Sequence, residues 1–499
     1  MPSLARSLDE RERSSLWTVA VAGIALLLYA ISPFRDRFPA TLAGIMCFAA
    51  VTAFVPGAMV RRSKPVSPLN WFLLLFFLSL VVNPLLLCFA GPYQNTLPQL
   101  PPDSAINVAE LIGVIAFLAF ASGCEINRRR TLASARAPFA TGKLAPRRPK
   151  RVALIYALLG LAGLALAFHS PGALRSYFTQ ASGHVGLQQQ TAGGISKVAS
   201  LVLRSFLQFA IVIPWCVWLD RARRSGWRLW GSIILVGALV AVAEATFSYN
   251  RGSIAAPLVA LLAVLGSRRI RLRLPVLVAI GLVAFSVLAV ARTYRNSSYT
   301  IAQAVTNSHA RSFLIARTNL SREVQIYASA PQYLGYFLDR EDYGAHPTYG
   351  LTVLSSVLSP LPRLGTPFRA TSGPTLFNRQ IYGPGSKEKD EIVPFQGELF
   401  LDFSYPGVFL GYLLLGMLAM SLERGFQRGD EALRAFTWQY ASIWIGFLVV
   451  GSAAVASQQM IYFFWPVVVL WLLAEWRRRQ NTRVTAGQPT VVLPAATHD

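Results

Sequence analysis

Apolar stretches long enough to cross a bilayer alternate with short polar stretches along most of this 499-residue chain. A transmembrane helix needs about 20 predominantly apolar residues. Twelve stretches are predicted to be spans: 16–32, 39–60, 69–90, 107–124, 152–169, 198–219, 229–248, 253–266, 275–291, 405–422, 437–456 and 458–474. The predicted fold class is therefore all-α, a polytopic membrane protein with about 12 transmembrane helices.

The basic residues lie in the polar stretches, mostly in every second one. Of the 47 Lys and Arg, 30 fall in seven alternate stretches: the N-terminus, 61–68, 125–151, 220–228, 267–274, 423–436 and the C-terminus. Basic residues accumulate on the cytoplasmic side of a membrane. We therefore expect both termini to be cytoplasmic.

The orientation divides the chain into four parts. Residues 1–291 carry spans one to nine, 292–404 form a large, partly helical external loop, 405–476 carry spans ten to twelve, and 477–499 form a disordered cytoplasmic tail. The external loop holds 11 Lys and Arg, nine Asp and Glu and 15 Phe and Tyr. Mixed charge with many aromatic rings favours an anionic, sugar-bearing substrate.

Composition agrees with the pattern. The chain is 54% hydrophobic and 14% charged, against roughly 25% charged residues in soluble domains. The net charge of +24 is spread over short clusters beside spans, so topology explains it and nucleic acid is not an expected partner. The four cysteines lie in or beside apolar stretches, which predicts buried thiols and neither disulfides nor metal ligands.

Residues 248–253, Ser-Tyr-Asn-Arg-Gly-Ser, form the outer turn between spans seven and eight. Ser253 can cap the following helix, whose free N–H groups and positive dipole suit phosphate. Arg251 adds a planar fork that matches phosphate oxygens. The alternative is a tight turn whose arginine reaches to the interface.

Arg204 lies inside span six, where a charge is costly and usually faces a partner or a watery cavity. Glu244, near the end of span seven, is the predicted intramembrane partner. A structural ion pair and a substrate-facing arginine are both open readings.

The external loop offers further candidates. Arg292 and Arg295 follow span nine, and 300–329 are predicted to form an amphipathic helix that ends before Pro331 and carries His309. The arginines together favour an anion site, whereas His309 alone favours a solvated role. Residues 339–342, Asp-Arg-Glu-Asp, resemble metal-binding acidic motifs, but four adjacent charges favour a solvated turn, so no metal is predicted.

Two segments near the end of the loop complete the candidate site. An apolar run within 349–363, too short to span, is predicted to pack against the membrane face of the loop. Pro406 is placed to begin span ten, so Glu398 and Asp402 lie just before a helix N-terminus. A carboxylate there can act as general base, or can complement the helix dipole. Function is favoured for Glu398 and the dipole role for Asp402.

These residues resemble a bacterial O-antigen or exopolysaccharide repeat-unit polymerase of the Wzy type. The resemblance covers about residues 200–475. It consists of the S-x-x-R-G turn at 248–252, Tyr-Gly followed by Pro-x-Pro-Arg at 349–363, and G-E-x-x-x-x-F-x-x-x-G at 397–407. Tyr405-Pro406 departs from the family, whose members often have glycine and a small or apolar residue there.

The resemblance implies an inverting, metal-independent glycosyl transfer without a cofactor at the outer face of the bacterial cytoplasmic (inner) membrane. The partners would be undecaprenyl-diphosphate-linked oligosaccharides, membrane lipids and a chain-length regulator. Glu398 would be the base. The substrate-binding candidates are Arg251, Arg292, Arg363, Arg322, Arg204 and Tyr249. O-antigen ligase-like transfer and a lipid-glycan flippase or transporter are the alternatives; the unequal halves of the chain argue against the transporter.

Overall fold

A computed structural model describes residues 20–54, 66–92, 97–133, 144–146, 148–179, 195–221, 227–245, 251–267, 299, 303, 306–317, 330–340, 347–361, 365–383, 394–427 and 431–486. These residues form helices and turns, with no strand among them. The helices before residue 268 are α1 Ala20–Ile31, α2 Pro39–Phe54, α3 Pro68–Phe77, α4 Asn83–Ala90, α5 Asp103–Ala133, α6 Pro149–Phe168, α7 Pro171–Thr179, α8 Ile195–Arg204, α9 Phe206–Arg221, α10 Trp227–Ala245 and α11 Arg251–Ser267. The later helices are α12 Ser308–Arg317, α13 Ala330–Leu338, α14 Leu351–Leu358, α15 Gly373–Tyr382, α16 Phe395–Gln427, α17 Ala432–Val450, α18 Ala453–Phe463 and α19 Trp465–Ala486.

Among the described residues, five helical segments are long and apolar enough to cross a membrane, and there are six if the bent pair α18–α19 is one span. Their outward faces are apolar: Leu158 on α6 and Leu414 on α16 are 58% and 63% exposed. Such faces suit lipid and not water. The all-helical membrane fold is thus as predicted, but the count of about 12 spans is not confirmed. Four more apolar helices are shorter, and the predicted span 275–291 lies outside the described residues.

The pair α5–α16 is the most extensive helix contact, and two glycines allow it. A Cβ at Gly123 would collide with the carbonyl of Leu413, and one at Gly416 with the carbonyl of Phe120. Small residues let membrane helices approach at backbone distance. Packed against α16 is α17, which is buried from Ala432 to Gly446 and forms the centre of the bundle.

The helix α16 is broken where span ten was predicted to begin. Phe403 and Ser404 leave helical geometry, with φ of −144° and +56°, and the helix resumes before Pro406. The N–H of Tyr349 donates to the freed carbonyl of Asp402 at 3.1 Å. Because Pro406 lacks an N–H and cannot follow a helical turn, the break has a local cause.

The predicted boundaries of the last two spans were wrong. The eleventh ends at Val450, since Gly451 is extended and Ser452 caps α18. The twelfth is bent by 60° between Phe463 and Trp465, just before Pro466. The last helix runs to Ala486, so 477–486, predicted to be disordered, are helical. Arg477 holds this part by donating to the carbonyl of Ala145 at 2.9 Å.

The described residues of the segment 292–404 are partly helical, as predicted. The predicted helix 300–329 is represented by α12, and its residues 318–329 lie outside the described part of the chain. Pro331 stands in the first turn of α13 instead of after a helix end. Proline is tolerated there because first-turn N–H groups have no intrahelical acceptor.

Candidate functional site

The structure gives side-chain surroundings for two of the predicted site residues, Arg204 and Glu398. Arg251 is the first described residue of α11, and only its backbone is described. Ser253, predicted to cap this helix, lies inside it instead. The other substrate-binding candidates lie outside the described residues: Tyr249, Arg292, Arg322 and Arg363.

Arg204 is the last residue of α8 and is 4% exposed. Its Nε donates to the carbonyl of Ser200 at 3.4 Å, and its guanidinium carbon lies 5.8 Å from the ring centre of Phe168. An arginine over an aromatic face gains from the ring quadrupole, more so away from water. Arg204 is therefore held within the helix bundle and does not reach out to its surface.

Glu244 on α10 is 1% exposed, and the charge of Arg204 acts on it electrostatically; an ion pair between the two residues stays a prediction. Neither of its carboxyl oxygens has a hydrogen-bond partner among the described residues. Nearby, Nε2 of Gln208 donates to the hydroxyl of Tyr440 at 2.6 Å, and Tyr440 is also within electrostatic reach of Glu244. We call Arg204, Gln208, Glu244 and Tyr440 the buried polar cluster.

The buried polar cluster brings together side chains from four helices, α8, α9, α10 and α17. A charged group that is buried without polar neighbours is strongly destabilising. Buried polar groups are nearly always hydrogen-bonded, so the open oxygens of Glu244 point to a donor from water or a ligand. Sequence position puts Glu244 seven residues before Arg251.

Glu398 is completely buried, and each of its carboxyl oxygens accepts a hydrogen bond. The hydroxyl of Ser356 on α14 donates to Oε1, and the N–H of Ala453, the first residue of α18, donates to Oε2, both at 2.7 Å. Ser356 in turn accepts from the N–H of Gly373 at 2.9 Å. One carboxylate therefore links the starts of α15 and α18 to the middle of α14.

Asp402 caps a helix too, but not the one expected. Its carboxylate accepts from the N–H groups of Thr352 and Val353 at 3.0 and 2.9 Å and from the hydroxyl of Thr348. These N–H groups belong to the first turn of α14, which starts after left-handed Gly350. The prediction that Asp402 serves a helix dipole is correct, but the helix is α14 and not the following span.

The helix α18 connects the two groups of residues. Glu398 caps its N-terminus, and α18 packs against α8, which carries Arg204, and against α14. Glu398 and the helix that carries Arg204 thus both contact α18.

The remaining candidate residues that the structure describes lie at the surface. His309 is exposed on α12. Arg369 and Arg379, which follow the Pro-x-Pro-Arg segment, are exposed and donate to the carbonyls of Ser359 and Ala370. No group of three or more His, Cys, Asp or Glu that could hold a metal is found within the described residues.

Several residues of the site were not predicted. Gln208 and Tyr440 complete the buried polar cluster, and Ser356 orients Glu398. A polar side chain inside an apolar run marks Gln208 and Ser356 in the sequence, and this pattern could have been used. Nothing local indicates that Ser356 meets a carboxylate 42 residues away.

Comparison with known proteins adds no relative. No family model, no curated protein and no solved structure matches this chain.

Proposed function

We propose that this chain polymerises lipid-linked oligosaccharide repeat units by glycosyl transfer from an undecaprenyl-diphosphate-linked glycan at the outer face of the cytoplasmic membrane. The proposal rests mainly on the S-x-x-R-G motif, which resembles the polymerase family, and on the position of its arginine: Arg251 is the first described residue of the helix α11. An arginine at the start of a helix combines a charged donor with free N–H groups and the positive end of the dipole.

The donor would bind with its diphosphate at the start of α11. Charge develops on this leaving group as the glycosidic bond breaks, and fixed positive groups stabilise it without a metal. Arg251 would make the first contact, with Arg292, Arg322 and Arg363 as further candidates. Deeper in the bundle, Arg204 and the open oxygens of Glu244 would contact polar groups of the donor.

The acceptor hydroxyl would give its proton to Glu398. Both carboxyl oxygens are already hydrogen-bonded and shielded, so the acceptor reaches Glu398 only when α14 or α15 moves away. Once the acceptor has entered, the return of α14 and α15 would bury the carboxylate again and exclude water from the reaction. The proposal therefore assigns a lid function to the segment that contains α14 and α15.

The test replaces Arg251 and Glu398 by alanine in a host whose own copy of the gene is deleted. We expect wild-type protein to restore a ladder of repeats on a gel of surface glycan, and both variants to leave single-repeat or bare lipid-linked material at normal membrane levels. Full ladders from both variants would contradict the site. Finished units trapped on the inner leaflet of the deletion strain would favour a flippase.

Two further variants distinguish a catalytic base from a structural helix cap at Glu398. Ala453→Pro removes the N–H that Glu398 accepts from, and proline is tolerated at the first position of a helix. Ser356→Ala removes the other donor. If Glu398 is the base, these two variants retain a ladder that Glu398→Ala abolishes. If Glu398 is only a cap, all three lower the amount of folded protein, and the residual protein makes normal ladders.

A further inference from the structure

A cavity of about 380 Å³, lined neither by Glu398 nor by the buried polar cluster, lies between the first helices of the bundle, the end of α17 and the 292–404 segment. Its walls come from α2, from α5 and from the connection between α3 and α4. Ala330–Leu334 of α13 and Pro394–Gln396, before and at the start of α16, close it on another side. Ligand pockets in proteins start at about this size.

A π-helical turn, Leu78–Val82, forms one wall of the cavity. A Cβ at Gly44 of α2 would lie 2.8 Å from the carbonyl of Leu80, and one at Gly113 of α5 would lie 3.0 Å from its side chain. Both glycines also line the cavity. They let the wider turn fit between α2 and α5. Single π turns inside α-helices are rare and frequently occur at functional sites.

The lining is mainly apolar, with one carboxyl group. Glu110 is 5% exposed; its Oε2 accepts from the hydroxyl of Thr41 at 2.9 Å, whereas its Oε1 has no hydrogen-bond partner among the described residues. A carboxyl oxygen left without a partner in an apolar wall is costly. Glu110 therefore offers one open hydrogen-bonding position to whatever occupies the cavity.

We propose that this cavity binds one hydrocarbon chain of a lipid, with a polar group of that lipid hydrogen-bonded to Glu110. The apolar walls suit a chain, and the open carboxyl oxygen of Glu110 suits one polar group beside it. Glu110 lies seven residues into α5, which is about 10 Å along a helix axis. At that depth a lipid's polar region gives way to its chains. This inference does not depend on glycosyl transfer.

The test labels the purified full-length protein in detergent with decan-1-ol that carries a photoactivatable diazirine on its chain. Adducts are mapped by mass spectrometry. We expect saturable labelling on peptides that contain Leu78–Val82 and the first half of α5. Ala109→Phe fills the cavity from α5 and Ser79→Phe fills it from the π turn, and both abolish saturable labelling there. Val108→Phe, at a neighbouring exposed position, is the matched control and leaves it unchanged.

The role of Glu110 is tested separately. Glu110→Gln keeps a hydrogen-bonding group and retains the labelling, whereas Glu110→Leu shifts saturation to higher probe concentration. Equal saturation of the Leu variant and wild type would mean that water or packing satisfies Glu110, and would overturn the assignment of the polar group. Labelling that Ala109→Phe and Ser79→Phe both leave intact, in protein of normal thermal stability, would overturn the site.

Competition identifies the source of the chain. Dioleoylphosphatidylglycerol displaces the probe if the occupant is a membrane phospholipid, and undecaprenyl phosphate displaces it if the occupant is a polyprenyl carrier. Displacement by either supports a lipid-chain site. Failure of both to compete would contradict it. The labelling and competition results would stand even if the protein showed no polymerase activity.

Discussion

At the scale of single residues, carboxylates close the N-termini of helices that are distant in sequence. Asp402 caps α14 and Glu398 caps α18. Near the predicted cytoplasmic end, Glu423 accepts from the N–H of Leu69 at the start of α3, and Asp220 from that of Ala432 at the start of α17. Three of these caps, those made by Asp402, Glu423 and Asp220, join helices that pack side by side. The few acidic residues of this basic chain thus fix helix positions.

Asp402→Ala leaves two N–H groups of α14 and the hydroxyl of Thr348 without their acceptor. Loss of a helix cap costs about 0.5 to 2 kcal/mol, so we expect a lower Tm for the purified variant. Asp339→Ala, which changes an exposed aspartate in the same segment, is the control and leaves Tm unchanged. Equal Tm values for the Asp402 variant and wild type would show that water replaces the carboxylate without cost.

At the scale of elements, α14 has its polar face inside and its apolar face outside. Thr352, Ser355 and Ser356 are buried, whereas Leu351, Leu354 and Val357 are 44%, 50% and 42% exposed. A helix in water shows the opposite arrangement. The apolar face therefore suits contact with lipid, which agrees with the prediction that this run packs against the membrane.

A tryptophan placed at Leu354 should report that contact. In bilayers that contain brominated phospholipid, we expect stronger quenching of Leu354→Trp than of Gln380→Trp, relative to the native tryptophan background. Gln380 is an exposed polar position on neighbouring α15 and serves as the matched control. Equal quenching at the two positions would place the outer face of α14 in water.

At the scale of the whole molecule, the alternation of basic stretches predicts the orientation, and it can be tested with cysteines. Ser308→Cys on α12 is expected to react with an impermeant maleimide on intact cells, whereas Arg129→Cys on α5 reacts only after the membrane is opened. Both positions are exposed. The wild-type protein, with its four native cysteines, gives the background. Reaction of Arg129→Cys in intact cells would reverse the topology.

The parts predicted from sequence are those with a local cause. The break in α16 follows from Pro406, and the helical class from the apolar runs. The cost of isolated charges in a span indicates that Arg204 and Glu244 pair, which stays a prediction. These interpretations needed only neighbouring residues or elementary electrostatics.

The remaining features depend on contacts between distant segments. Ala453 is 55 residues from Glu398, and Thr352 is 50 from Asp402, so the caps are not visible in any local pattern. The count of about 12 spans is not confirmed, because hydropathy does not report where an apolar run is bent, as at Pro466. The cavity beside Glu110 arises from the packing of a π turn that no periodicity predicts.

Polymerisation by the purified protein tests the central claim most directly. Lipid-linked repeat units extracted from the deletion strain are incubated with the protein in nanodiscs, and the products are separated by chain length. We expect a ladder of multiples of the repeat with wild type, and unchanged single repeats with Arg251→Ala. The proposed function would be contradicted if folded wild-type protein left single repeats unchanged in this assay, while cells needed no other component to make the ladder.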